Sequence, residues 1–123
     1  MAVIKYVYDP SSRTVTWSNM ASGDTGQYYQ MHSTDNTIHA FSSSWSSSTM
    51  TLFGSNDPRA AFNAPDSGSA SWVEVKDNSN TGIAFSADDI ATMVTAPRFV
   101  SPEITSGSAT SVTVVIREGN FLS

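Results

Sequence analysis

The sequence predicts an all-β domain, a single antiparallel β-sandwich of jelly-roll or immunoglobulin-like type spanning residues 1–123, with about eight to nine short strands and one short helix. Three observations carry this expectation. Ser and Thr make up 22 and 13 of the 123 residues while only 14% are charged. Helical surfaces are written with Glu, Lys, Ala and Leu, whereas Thr, Val and aromatics suit pleated, half-exposed strands and Ser suits their turns. Apolar–polar alternation recurs in short runs at roughly ten-residue spacing, punctuated by Gly, Pro, Asn and Asp. The length itself fits one core, since a single domain normally holds roughly 100–150 residues.

Val3-Ile4-Lys5-Tyr6-Val7-Tyr8 is a β-rich run, Asp9-Pro10-Ser11-Ser12 is turn chemistry, and Arg13-Thr14-Val15-Thr16-Trp17 alternates at period two, which together read as a hairpin. Residues 18–27 hold two Gly among small polar residues and read as a loop before a short strand at Tyr28–His32. Thr37–Phe41 and Thr49–Phe53 are two strands separated by the Ser-rich segment Ser42–Ser48, with Met50 and Leu52 on one side of the second. Gly54–Gly68, with its Asn-Asp signals and two Pro, is a long loop, and loops of that length are usually functional or mobile. Ser71–Lys76 resumes a strand, and Asp77–Gly82 turns it into Ile83-Ala84-Phe85.

Residues 86–94 read as a short helix. Ser86 suits its N-cap, Asp88 and Asp89 suit its positive end, and Ile90, Met93 and Val94 fall at i, i+3, i+4. Pro97 and Pro102 bracket Arg98–Ser101, limiting that stretch to an edge or interrupted strand. Thr110–Arg117 alternates, becomes continuously apolar and belongs in the core. The expected core includes Trp17, Leu52, Trp72, Val75, Phe85, Val100, Val114 and Ile116.

Charge narrows the partners. Six Lys+Arg against eleven Asp+Glu give a net charge of −5. The cations are scattered at Lys5, Arg13, Arg59, Lys76, Arg98 and Arg117, which is no footprint for a phosphate backbone, so nucleic acid is not expected as a partner. The N-terminal run reads as neither a signal peptide's apolar stretch nor a membrane span of about 20 residues, and no membrane contact is expected. With no Cys, disulfides, thiolate metal sites and a cysteine nucleophile are excluded.

The residues capable of chemistry form no recognised constellation. His32 and His39 lack a third ligand at a metal-site spacing and read as half-exposed imidazoles. Adjacent Asp88 and Asp89 on a helix would diverge by about 100° and could not flank one bond as an acid–base pair. Asn56, Asp57, Asn63 and Asp66 match no EF-hand spacing and read as turn formers. No Gly-x-Ser-x-Gly elbow marks any Ser as a nucleophile. No enzymatic activity, metal or cofactor is expected. Trp45, centred in Ser42–Ser48, has two readings: a stacking platform for sugars, or an indole folded back onto the sandwich or against a protein neighbour.

One ordered set of motifs carries a family resemblance. It runs Thr49-Met50-Thr51-Leu52-Phe53-Gly54-Ser55-Asn56-Asp57, then Trp72-Val73-Glu74-Val75 with Asp77, then Thr81-Gly82-Ile83-Ala84-Phe85, then Ala96-Pro97-Arg98-Phe99-Val100. This order resembles small structural proteins of tailed bacteriophages, and in part the discoidin-type β-sandwich pattern, over about residues 37–117. The segment from Asp57 to Trp72 is longer than the discoidin form has, Ser101 stands where a second Arg would be, and the Cys pair is missing. The discoidin pattern therefore transfers no carbohydrate-binding residue. The phage resemblance implies a virion location on the capsid surface and a role as a capsid cement or decoration protein bound in many copies to the major capsid protein. A carbohydrate- or receptor-binding module and a tail or neck adaptor are the alternatives.

Edge strands with few charges to blunt them predict coverage by sister copies, as a homotrimer. The expected partner-binding residues are Ile4, Tyr6, Tyr8, Trp45, Arg59 and Phe62. They are apolar or aromatic groups that a 123-residue sandwich would not bury completely, with Arg59 placed to bond an acidic partner group.

Overall fold

The computed structural model describes residues 2–65 and 68–119. Among these, twelve strands run in order: β1 (Val3–Ile4), β2 (Val7–Asp9), β3 (Thr14–Met20), β4 (Thr25–Gly26), β5 (Tyr29–Gln30), β6 (Asn36–Ser42), β7 (Thr49–Ser55), β8 (Val73–Glu74), β9 (Ala84–Phe85), β10 (Asp89–Met93), β11 (Phe99–Thr105) and β12 (Val112–Glu118). They form two packed sheets, so the chain is the β-sandwich that its alternation predicts. The larger sheet is ordered β1-β4-β11-β7-β8, with β5 also on β11 and β9 also on β7. The smaller is ordered β10-β6-β12-β3-β2. Pairing is antiparallel except at β1, which runs parallel to β4.

The core lies between the sheets and follows the period of two. Val112, Val114 and Ile116 of β12, Val15 and Trp17 of β3, and Ile38 and Ala40 of β6 face Met50 and Leu52 of β7 and Val100 and Ile104 of β11. Val75, Ile83 and Phe85 close one side. The Trp17 indole N–H donates to the Gln27 carbonyl at 3.0 Å, so its one polar atom is satisfied inside the apolar layer.

Four sequence expectations need correction. Residues 86–94 form no helix: Asp89–Met93 is an edge strand paired with β6 from Asp89↔Ala40 to Met93↔Asn36. A helix of one or two turns is marginal alone. The β-branched residues here gain more from an open sheet edge, where Met93 turns inward and Ile90 stays outside. A 3₁₀ turn capped by Asp57 lies at Pro58–Ala61.

Arg98–Ser101 belongs to neither an edge nor an interrupted strand. It enters β11, which pairs with β7 at seven successive positions in the middle of the larger sheet. Pro102 is tolerated because of which side its missing N–H faces. The Ile104 N–H donates toward β4, to the Asp24 carbonyl, and Pro102 has the same parity. There Pro102 lies opposite Gly26 of β4, whose carbonyl accepts the Ser101 hydroxyl at 2.8 Å in place of the missing N–H, so no acceptor is orphaned.

Residues 18–27 contain β4 as well as a loop. Trp72 lies outside the core: it precedes the two-residue β8 and is only half-buried, its indole N–H donating to the Asn63 carbonyl at 2.8 Å.

Candidate functional site

The long loop does not hang free. Ser55 Oγ donates to the Ser71 carbonyl at 2.5 Å, and the Asp57 carboxylate accepts the Ser71 N–H at 3.0 Å, which pins the loop's return beside its start. Asp57 also accepts from the Arg59 backbone N–H and, through both oxygens, from the Arg59 side chain, with Nη2 at 2.7 Å. The Arg59 side-chain bond, then the Ser71 and Arg59 backbone N–H groups, hold the Asp57 carboxyl well below the usual aspartate range. The segment lies over the outer face of the larger sheet, where Thr51, Ser55 and Ser101 are buried although they point away from the core.

A groove of about 280 Å³ opens between this loop and the neighbouring strands. One wall is Ala60–Pro65 with Trp72, and the other is Val3 and Thr25–Tyr28, with Ser101 between them. Its floor is tight: a Cβ on Gly26 would stand 2.6 Å from the Pro102 ring, so β4 approaches β11 only because position 26 is Gly. Among the described residues, none of the lining side chains is an acid or a base apart from the Tyr28 phenol. Phe62 rises from the wall 89% exposed, the most exposed large apolar side chain among the described residues, with Val3 at 61% and Tyr28 at 38%. Tyr28 is braced edge-on against Phe99, itself under the Arg98 guanidinium.

The six residues expected at a partner surface are divided by the structure. Phe62 lines the groove, and Arg59 stands beside it but is already engaged by Asp57. Ile4, Tyr6 and Tyr8 are partly buried against the core. Tyr6 meets Trp17 and Tyr29 edge-on at 6.3 and 5.1 Å, and Tyr8 stacks on Tyr29, which gives these rings a packing role that the sequence reading did not assign.

Trp45 is at another corner, partly buried, its indole N–H donating to Asp88 Oδ1 at 2.8 Å. That bond, followed by the Ser42 N–H, lowers the Asp88 pKa, so Asp88 is a side-chain anchor and not a helix-terminal charge. The Ser-rich corner is held by its own hydroxyls. Ser48 Oγ bridges the Ser106 carbonyl and the Ala109 N–H, and the Ser108 N–H donates to the Ser46 carbonyl. Sequence reasoning missed Val3, Tyr28 and Trp72, because nothing local says that a loop will fold beside them.

A polar cluster lies at the end of β12. Glu118 is fully buried, accepting from Tyr29 Oη at 2.6 Å and from the His32 backbone N–H at 2.7 Å. His32 Nδ1 is 3.1 Å from Tyr29 Oη and 3.8 Å from the carboxylate, with the ring mostly exposed. Burial, then the bond to Glu118, pushes the Tyr29 phenol far above the ordinary tyrosine value. His39, by contrast, is an exposed imidazole tilted against Phe41 at 4.9 Å. Asn56 accepts the Arg98 N–H, and Asn63 donates to the Arg59 carbonyl, so both shape the loop; Asp66 lies outside the described residues. Among the described residues no group of three His, Asp or Glu side chains is placed to hold a metal, and no helix is long and apolar enough to cross a membrane.

The structure thus defines a small two-sheet β-sandwich with a loop-built apolar groove on one outer face. Compared with known proteins, the chain matches no family model and no curated sequence.

Proposed function

We propose that this chain is a non-enzymatic structural protein of a tailed-phage virion, a cement or decoration protein set in many copies on the major capsid protein lattice, and that the Phe62 groove anchors its protein contacts. The observation that carries the docking half is the Phe62 ring, 89% exposed on a groove with no charged lining among the described residues. Exposed aromatic anchors surrounded by polar residues are the usual energetic centre of a protein interface. The lining supports a protein partner over a sugar: Thr25, Gln27, Tyr28, Asn63 and Ser101 are polar, but most of the surface presented to the groove is apolar, whereas sugar sites pair aromatic faces with several converging polar groups. Trp45, the other stacking candidate, already spends its N–H on Asp88. The virion half rests on the ordered motifs from Thr49 to Val100.

The test is co-sedimentation of purified protein with phage heads lacking it. Wild type is expected to saturate the heads, and Phe62→Ala to bind about 30-fold more weakly with unchanged circular dichroism. Equal occupancy for both would remove the groove from the reading. Binding to tails and not to heads would favour the adaptor alternative.

A further inference from the structure

Resting on the reading of the groove as a protein-docking surface, we infer that its occupant is a second copy of this chain, paired about a two-fold axis so that each Phe62 ring enters the other copy's groove. Knob and hole lie on one patch: Phe62 stands on the wall of the groove it helps to line. A patch that carries both meets itself only across a two-fold axis, where every contact is made twice. The groove's volume, about 280 Å³, is at the small end of ligand cavities and suits one inserted side chain.

Area and charge agree with self-pairing. The exposed parts of Phe62, Val3 and Tyr28 amount to roughly 350 Å², taking side chains of about 150–200 Å². A standard interface buries about 800 Å² per partner, a little over half of it apolar, so this patch supplies most of the apolar centre such a pair requires. Each copy carries a net charge of −5, and among the described residues the groove lining holds no carboxylate that contact there would set against its twin. The rim next to Phe62 carries both signs, Arg59 and Asp57, at 2.7 Å from each other. Each rim is thus neutralised within its own copy and does not oppose the contact. A two-fold pair also differs from the three-fold ring that edge-strand coverage suggests, because knob and hole are adjacent and not on opposite sides.

Sedimentation velocity on the full chain, from about 1 to 500 µM, tests this. Wild type is expected to shift with concentration to twice the 13.2 kDa chain mass. Phe62→Ala removes the knob and Ala61→Arg blocks the hole, and each is expected to weaken association about 30-fold or more with unchanged circular dichroism. A wild type that stays monomeric or forms trimers overturns the inference, as does undiminished pairing of Phe62→Ala. If wild type is monomeric while Phe62→Ala loses its place on phage heads, the groove docks on another protein: the inference falls and the docking reading stands. If Phe62→Ala becomes monomeric yet binds heads normally, the inference stands and capsid anchoring through the groove falls.

Discussion

Replacing Glu118 with Ala tests what the polar cluster contributes to the fold. The carboxylate is fully buried and accepts two donors, Tyr29 Oη–H at 2.6 Å and the His32 N–H at 2.7 Å. Ala removes the acceptor of both. A buried donor left without a partner costs about 1–3 kcal/mol, the weakened Tyr29 bond adds to that, and a water entering the vacated space recovers part, so the expected loss is about 2–4 kcal/mol. For a domain stable by roughly 5–15 kcal/mol this is a large fraction. Glu118→Gln should cost about 1 kcal/mol, because the amide oxygen can take the His32 N–H while its NH₂ donates to Tyr29 Oη and that hydroxyl turns its proton to His32 Nδ1, 3.1 Å away. Urea unfolding with an unchanged m-value is the assay. The cycle with Tyr29→Phe should show a coupling of about 1 kcal/mol or more. Glu118→Ala within about 1 kcal/mol of wild type, or Gln as damaging as Ala, would refute this account of the cluster.

Three further outcomes follow from the geometry. Asp57 and Asp88 have folded pKa values lowered by their donors, so their contribution is present above the ordinary aspartate value and lost as pH falls through it toward the folded values. The thermal midpoint should drop below about pH 4, and less steeply in Asp57→Asn and Asp88→Asn, as scanning calorimetry across pH would show. Tyr29 has a raised pKa, so folding favours the neutral phenol and stability should decline as pH rises above about 10, where the unfolded chain's tyrosine ionises; Tyr29→Phe should flatten that decline, and absorbance titration should show one of the four tyrosines ionising only on unfolding. Gly26→Ala would drive a Cβ against Pro102 and Trp17 and should cost about 1–3 kcal/mol by denaturant unfolding, whereas Gly68→Ala, with open space around its Cβ, should fail to perturb packing and answer only to its positive φ.

Period-two alternation was enough to place Trp17, Leu52, Val75, Phe85, Val100, Val114 and Ile116 in the core, because a strand buried on one face writes its orientation into its own residues. Ile90, Met93 and Val94 fit a helical face equally well, and the deciding fact, an unpaired edge on β6, is nonlocal. Pro102 likewise looked like a strand breaker, because nothing local shows that its neighbour across the sheet is Gly26, whose carbonyl takes the Ser101 hydroxyl instead. Phe62 was legible as an apolar ring among turn residues. The other half of the groove was not: Val3 and Tyr28 are outward positions like many others, and only the loop's return across the sheet makes them a wall.

The groove's two walls have unequal freedom to change. Val3, Thr25 and Gly26 are tied to ladders that the sandwich needs, and Tyr28 is braced on Phe99, while most of the side chains from Phe62 to Pro65 touch none of the core. A lineage of such proteins can therefore rewrite what it grips by drift in one short stretch, with folding left alone. The same stretch is where a foreign peptide could be grafted onto the sandwich, at the cost of the grip.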